Sequence, residues 1–580
     1  MQILTRPYSE ADRIALMRGG MHPVLARVYA ARRIRSITEL ETDPARLLSP
    51  KLLAHTEDAA RLLADAIRDR KRILIVADYD CDGATACAVG IRALRSFGAE
   101  VDYLVPNRFE LGYGLSPELV DIAATKQPDL IVTVDNGIAS VEGVAHANAL
   151  GIATLVTDHH LPGAELPAAA CIVNPNQPGC AFPSKSLAGV GVMFYVMLAL
   201  RAELRMRGVF KSASFPGGEP NLSALTDLVA LGTVADVVQL DANNRILVGH
   251  GLKRLRSGKG KAGLVALMQI AGRDPRKATA FDFGFIMGPR LNAAGRLSDM
   301  GLGIECLITD DPARAANCAQ QLDALNSERR TIEGGMLEEA MAAVVDERGE
   351  LPETPGAGVS LFHETWHQGV VGILASRIKD KLHRPVIAFA RATEGGIAGN
   401  LRGSGRSISG LHLRDCLDLV SKREPDLILR FGGHAMAAGL SIREADLARF
   451  TAAFEAAAAD MIAPAALQKT LETDGELESA YFTLEVAQMM DDQIWGQGFP
   501  PPVFCDTFEV QAQRIVGAKH TKLLLAKDGR RIEAIWFNSP GIPMAGARGN
   551  KIRAAYRLSV NEYNGLKSVQ VNVEQAEPVT

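Results

Sequence analysis

The stretch Ile73-Leu74-Ile75-Val76-Ala77-Asp78-Tyr79-Asp80-Cys81-Asp82-Gly83 decides the fold. It runs from β-favouring apolar residues straight into an acidic turn. A short, continuous apolar run of this kind reads as a parallel strand buried on both faces. Two further runs repeat the pattern. Asp129-Leu130-Ile131-Val132-Thr133-Val134 leads into Asp135-Asn136-Gly137, and Ile152-Ala153-Thr154-Leu155-Val156 leads into Thr157-Asp158-His159-His160. Residues 83–97 and 116–124 lie between them with helical patterning. Such alternation predicts an open, mainly parallel sheet across residues 70–240. Ligand sites in open α/β sheets gather outside the carboxyl ends of the strands. These strands deliver acids and histidines to that edge.

Working outward, residues 1–69 read as an N-terminal helical segment and residues 241–350 as a helical linker. Asp311-Pro312 is a cap followed by proline in the first turn, which starts a long helix. Unbroken to about Asp346, that helix is about 50 Å long, although Gly334-Gly335 weakens it. Residues 351–464 read as a smaller α/β domain. Residues 465–580 read as a small β-barrel of the OB type, with hairpin turns at Asp528-Gly529 and Asn564-Gly565.

The chain has 580 residues, of which 47% are hydrophobic and 22% charged. That composition fits several globular domains and excludes a disordered protein. The longest mainly apolar run, 190–200, is too short to span a bilayer, and residues 1–13 hold no signal-peptide core. A cytoplasmic location follows as the expectation. None of the eight cysteines forms a C-x-x-C pair, so a zinc ribbon or disulfide framework is not expected. The net charge of −4 is unusual for a nucleic-acid binder, but charge is local. Residues 250–277 carry eight Lys/Arg against one acid, and residues 511–531 carry six against one. Each run reads equally as a solvated face or as part of a basic channel.

The acids need an explanation. Asp78, Asp80, Asp82, Asp135, Asp158 and Asp236, together with His159 and His160, would repel and raise one another's pKa if crowded without a cation. Carboxylates with one or two imidazoles suit Mn²⁺, and Mg²⁺ or Fe²⁺ less specifically. More ligands are present than one ion needs, which implies two ions with Asp135 as a bridge. Each piece has a plain alternative. The D-x-D-x-D-G run occurs in calcium loops, although here Ile91 stands where the loop's final Glu would be if Asp80 is position one. Asp158-His159-His160 alone fits a helix cap, and Asp135-Asn136-Gly137 fits a turn. Their joint placement, each at a strand end, favours a metal centre. Cys81 is expected to point away from it.

These residues resemble the DHH phosphoesterase family, whose triplet is seen as Asp158-His159-His160. The narrower features are similar to the RecJ-type exonucleases of that family. They are the segment from Val105 through Arg108 and Tyr113 to Ser116, the linker motif Gly288-Pro289-Arg290-Leu291-Asn292-Ala293-Ala294-Gly295-Arg296, and three later stretches. Those are Trp366-His367-Gln368-Gly369-Val370-Val371-Gly372, Gly403-Ser404-Gly405-Arg406-Ser407 and Gly432-Gly433-His434-Ala435-Met436-Ala437-Ala438-Gly439. The resemblance runs from about residue 20 to 575. It implies a parallel-sheet DHH domain and a smaller DHH-associated α/β domain joined by the long helix, followed by the OB-like barrel. It implies metal ligands Asp80, Asp82, Asp135, His159 and Asp236, with Asp78 as a further one. It also implies catalytic roles for His160, Asp82 and Asp135, with His160 beside the scissile phosphate. Some family members have a histidine where this chain has Val76, which leaves one metal with fewer protein ligands.

Phosphate or DNA contacts are expected from Arg108, Tyr113, Arg290, Asn292, Arg296, Ser404, Arg406, Ser407, Gly432, Gly433, His434 and Trp536. Gly-Ser-Gly-Arg-Ser brings amides, hydroxyls and a guanidinium to an anion. Gly-Gly-His is expected to open a helix whose N-terminus faces a phosphate. Trp536, Phe537 and Tyr556 are candidates for stacking on bases. The implied activity is 5′→3′ exonucleolytic hydrolysis of single-stranded DNA to 5′-mononucleotides with two Mn²⁺ or Mg²⁺ ions, in repair and recombination. A single-strand-binding protein and a repair helicase are expected partners of a monomer. Two alternatives stand beside this reading: a DHH phosphodiesterase for short oligonucleotides or cyclic dinucleotides, and a non-catalytic RecJ-like replication scaffold.

Overall fold

The structure, a computed structural model, describes residues 2–107, 113–212, 215, 217–344, 356–392, 399–517, 519–539, 551–563 and 565–579. Its first sheet is parallel throughout and has five strands: β1 (Arg72–Ala77), β2 (Glu100–Leu104), β3 (Leu130–Val134), β4 (Ala153–Thr157) and β5 (Cys171–Val173). Their spatial order is β2-β1-β3-β4-β5. The order reverses between β1 and β3, which makes the crevice at their carboxyl ends the topological switch point. Every residue of β3 is buried. Alternate residues of β1 serve opposite faces: Ile73, Ile75 and Ala77 enter the main core, while Leu74 and Val76 pack with Leu119, Val144 and Val156. Burial on both sides explains the unbroken apolar runs, each large side chain contributing about 1.5–3 kcal/mol. It also buries Val76 among apolar neighbours.

The helices α1 (Cys81–Ser96) and α2 (Gly189–Met206) cover one face of this sheet, and α3 (Thr226–Ala235) packs on them. The segment that leads to Asp236 is therefore a helix. Farther on, α4 (Gly288–Leu297) precedes the long helix α5 (Pro312–Val344). Asp311 caps α5 through its side chain, which accepts from the Ala313 amide at 2.9 Å. The far end of α5 buries Met336 and Ala340 against Leu374 and Ile378 of the second α/β domain.

That domain has β6 (Val359–Phe362), β7 (Val386–Arg391), β8 (Asn400–Arg406), β9 (Arg430–Gly433) and β10 (Ala437–Arg443) in the order β9-β10-β8-β7-β6. Only the β6–β7 pair is parallel. A closed barrel follows, from β11 (Phe504–Val516), β12 (His520–Lys527), β13 (Arg530–Trp536), β14 (Lys551–Tyr563) and β15 (Leu566–Pro578). Asp528 and Gly529, with φ of 49° and 77°, form the left-handed two-residue turn between β12 and β13.

The N-terminal segment is not purely helical. Gln2–Thr5 is a strand that pairs in parallel with Thr470–Thr473. Arg32 binds the buried Asp474 carboxylate through both terminal nitrogens, at 2.8 and 3.2 Å. Tyr29 stacks on Trp495 and Phe499. One apolar core runs from Leu16 through the first sheet to Val573 of the barrel, whereas the second α/β domain has cores of its own. All eight cysteines are free and buried. No described helix is long and apolar enough to cross a membrane.

Candidate metal centre

At the end of β1 the chain turns into α1. Asp80 is the N-cap: its Oδ1 accepts from the Asp82 and Gly83 amides at 2.9 and 3.1 Å. Cys81 faces the core and is 1% exposed. Asp82, in the first turn of α1, is fully buried and accepts from the Gly189 and Val190 amides at 2.6 and 2.9 Å. Those amides open α2, whose dipole favours an anion there. Gly189 is required by space, because a Cβ on it would lie 2.6 Å from Asp135 Cβ. Asp135 follows β3 in the left-handed conformation, φ 62°. Backbone strain of this kind is characteristic of ligand clamps.

After β4, Asp158 is buried and anchors the loop. It accepts from the amides of Ile138, His159 and His160 and holds His160 Nδ1 at 2.8 Å. Asp236 arrives as the C-cap of α3 rather than from a strand end. His159 Nε2 then lies 3.1 Å from Asp135 Oδ1, 3.4 Å from Asp236 Oδ2 and 4.0 Å from Asp82 Oδ2. The ligand atoms fall into three sets, each within 4.8 Å: Asp135, His159 and His160; Asp82, His159 and Asp236; and Asp78, Asp80 and Asp135. Asp135 and His159 each belong to two sets, as ligands shared between neighbouring ions would.

The electrostatics describe a site built for cations. Burial first, and then the charge of Asp80, pushes the Asp82 carboxyl up to about 7. Burial and the Asp82 charge raise Asp135 and Asp236 well above the usual carboxylate range. Burial and the neighbouring His160 hold His159 down to about 4, keeping it the neutral imidazole that a metal needs. Asp135 Oδ1, His159 Nε2 and Asp236 Oδ2 are buried without a hydrogen bond. Such atoms are costly unless coordinated, and their oxygen-plus-imidazole character fits Mn²⁺ or Mg²⁺. For His160, burial opposes protonation, but the Asp158 hydrogen bond and charge prevail and raise its pKa. The Tyr113 hydroxyl donates to the Asp135 carbonyl at 3.0 Å and sits 3.1 Å from His160 Nδ1.

Across the cleft, the His434 ring of the second domain lies 6.2 Å from that of His160. Gly432, Gly433 and His434 do not open a helix. They end β9 at a tight turn into β10, and the His434 amide is spent on the Ala437 carbonyl at 2.8 Å. Arg406 donates to Ser404 Oγ at 3.2 Å, and both sit over Gly372 at the start of the helix Val371–Leu382. A side chain at 372 would collide with them, so this corner keeps a helix N-terminus, a hydroxyl and a guanidinium together. Ser407 is buried, and its hydroxyl donates to the Leu411 carbonyl at 2.9 Å, which fixes the loop instead of facing the cleft.

The linker residues also take up places other than those expected. Arg290 is buried and gripped by Asp323 of α5 at 2.8 and 2.9 Å, a strut rather than a DNA contact. Asn292 accepts from the Cys81 amide at 2.7 Å and so props the acidic turn. Arg296 donates to the Gly369 carbonyl at 3.1 Å, tying α4 to the second domain. Trp536 is partly buried at the end of β13. Phe537 is half-exposed, and Tyr556 is core, its hydroxyl on Asp506 at 2.6 Å. Arg108 lies outside the described residues. Sequence reading missed two anchoring side chains. Asp158 was visible in its triplet, but its role was not. Asn136, whose amide bonds the Val76 and Val134 carbonyls at 3.1 and 2.9 Å, offered only a turn signal.

Comparison with known proteins places this geometry. The model of the DHH family's N-terminal domain matches residues 72–233, that of the DHHA1 domain residues 355–460, and that of the RecJ OB domain residues 473–575. The single-stranded-DNA-specific exonucleases RecJ of Salmonella typhimurium and Escherichia coli are each 48% identical over 98% of this chain and 98% of their own length. The crystal structure of RecJ from Thermus thermophilus in complex with Mn²⁺ superposes with a TM-score of 0.81 at 28% identity, covering 99% of this chain and 79% of that one. Its complex with Mg²⁺ gives 0.76 at 28% identity, covering 100% and 78%. Similar nearly end to end to two such exonucleases, and matching the three domain models in order, the chain belongs to the RecJ family of DHH phosphoesterases.

Proposed function

We propose that the protein is a metal-dependent exonuclease that degrades single-stranded DNA from its 5′ end and releases 5′-mononucleotides. The observation that carries this reading is the three adjoining ligand sets, two joined through Asp135 and two through His159, with His434 of the second domain beside His160. When bound, two divalent ions neutralise phosphoryl oxygens and lower the pKa of water. The remaining work belongs to the chain. Asp82, Asp135, His159 and Asp236 are held by α2, the left-handed turn at 135 and the Asp158 anchor, so they need no rearrangement. His160, its Nδ1 held by Asp158, offers Nε2 to the charge that develops on the phosphate. A water oxygen bonds to phosphorus as the P–O3′ bond breaks in line. Ser404 and Arg406 hold a neighbouring phosphate and fix the register. A cleft narrow enough to bring His160 near His434 admits one strand and rejects a duplex. In this reading the enzyme acts in repair and recombination as a cytoplasmic monomer, with a single-strand-binding protein and a repair helicase as partners.

The test is digestion of end-labelled single-stranded DNA with either end blocked, in Mn²⁺ and in Mg²⁺. The reading expects mononucleotides and inhibition only by a 5′ block. Turnover of dinucleotides alone would transfer the site to the oligonucleotide phosphodiesterases. No cleavage at all by metal-loaded protein would favour a scaffold.

A further inference from the structure

Phe281 and Phe285 are 54% and 65% exposed, and their rings stack on each other with centroids 4.7 Å apart at 18°. They stand on one face of a π-helical turn, Asp282–Met287. The other face of that turn is fixed: Phe283 is fully buried, and a Cβ on Gly284 would lie 3.3 Å from Val234. Val234 precedes the ligand Asp236 by two residues. Exposed aromatics grouped this way mark a binding surface more often than a lone exposed side chain does.

Their place along the chain says what binds. Upstream, Lys277 pairs with Glu562 of barrel strand β14 at 3.0 Å. Downstream, α4 reaches the acidic turn through Asn292 and the second domain through Arg296. Residues 277–296 thus run from the barrel to the metal ligands and on to the associated domain, with the two rings midway. The basic run ends beside them in Arg273, Arg276 and Lys277, whose side chains are 53%, 78% and 60% exposed; each also has an acidic neighbour, Asp282, Asp274 and Glu562 respectively. Exposed rings interleaved with cations are what a single strand requires, because every base has a face to stack and every step a phosphate to neutralise. We infer that the Phe281–Phe285 pair is a base-stacking platform that carries single-stranded DNA between the barrel and the metal centre. This inference rests on the exonuclease reading and adds a residue-level path to it.

The experiment measures binding of fluorescent single-stranded oligonucleotides to full-length protein in EDTA, with one abasic position walked along the strand. Phe281→Ala and Phe285→Ala should each weaken binding about tenfold, and Phe281→Trp and Phe285→Trp should restore it. In the wild type, an abasic site at one or two adjacent positions should cost a similar factor, and that cost should vanish in the double alanine variant. Thermal unfolding of each variant separates lost folding from lost stacking, and the Trp variants keep the test valid if an alanine variant misfolds. Equal affinity of the wild type and the alanine variants, or an abasic penalty unchanged by them, overturns the platform and leaves the rings to another partner. Mn²⁺ added to the same samples tells the two failures apart. Wild-type protein that binds and cleaves while the variants match it sinks only the platform. Wild-type protein that neither binds nor cleaves sinks the exonuclease reading and the platform with it.

Discussion

Asp135 and His159 are the residues on which two ligand sets converge, so their loss should be the most complete. Asp135→Ala or His159→Ala is expected to abolish cleavage while DNA affinity in EDTA stays near wild type. Retained turnover in either variant would remove the assignment. Because burial and Asp82 oppose the Asp135 charge, Asp135→Asn should stabilise metal-free protein, on the order of 1 kcal/mol, and denaturant melts in EDTA would register it. Asparagine also tolerates the left-handed backbone there. Asp158 acts through others: it fixes the His160 ring and the loop amides. Asp158→Asn should therefore cost about 10–100-fold in activity, with the metal still bound. The sequence shows where Asp135 and His159 stand because strand ends converge by topology. It does not show which nitrogen of His160 is held, or that Ser407 and Arg290 are spent internally, because those outcomes depend on partners distant in the chain.

Among elements, the long helix α5 was legible from its cap and its spacing, and the Gly334-Gly335 pair does not interrupt it. A Cβ at either position would meet nothing within 4 Å. Gly334→Ala and Gly335→Ala should each stabilise the protein by about 0.5–1 kcal/mol, read from chemical denaturation. A loss instead would mean that the pair serves as a hinge. The midpoint of α5 is tied to the second domain: Glu333 pairs with Arg329 at 2.6 Å and with Arg377 at 2.8 Å. Other elements were harder to read. Asp236 ends a helix, α3, that is buried along most of its length and so shows no amphipathic stripe. Gly-Gly-His resembles a helix entrance locally, but β10 claims its amides.

For the whole molecule, the three-part outline was readable from composition and periodicity, but the clasp of the N-terminal segment on residues 470–500 was not. Parallel pairing of Gln2–Thr5 with Thr470–Thr473 joins strands far apart in sequence, and no local signal announces it. Residues 465–580 are consequently not a detachable module. Arg32→Ala would leave the buried Asp474 carboxylate only Arg6, at 3.4 Å, and the Val503 amide, at 3.0 Å, at a cost of about 1.5–3 kcal/mol, visible as a lower unfolding midpoint. The barrel also has a pH dependence of its own. Burial pushes Asp491 up to about 6, against the Val560 amide that pulls it down. A raised carboxyl favours the fold while protonated, so this contribution is full below the ordinary aspartate range near about 4 and is lost as pH rises through 6. Asp491→Asn should flatten that decline between pH 4 and 7, and parallel stability curves for variant and wild type would refute it.

The central claim is that separate carboxylates and an imidazole cage two ions, and anomalous diffraction from crystals soaked in Mn²⁺ tests it most directly. The account predicts two peaks, both touching Asp135, with His159, Asp82 and Asp236 on one side and Asp78 and Asp80 on the other. A single peak elsewhere, or none at a Mn²⁺ concentration that supports cleavage, would contradict it.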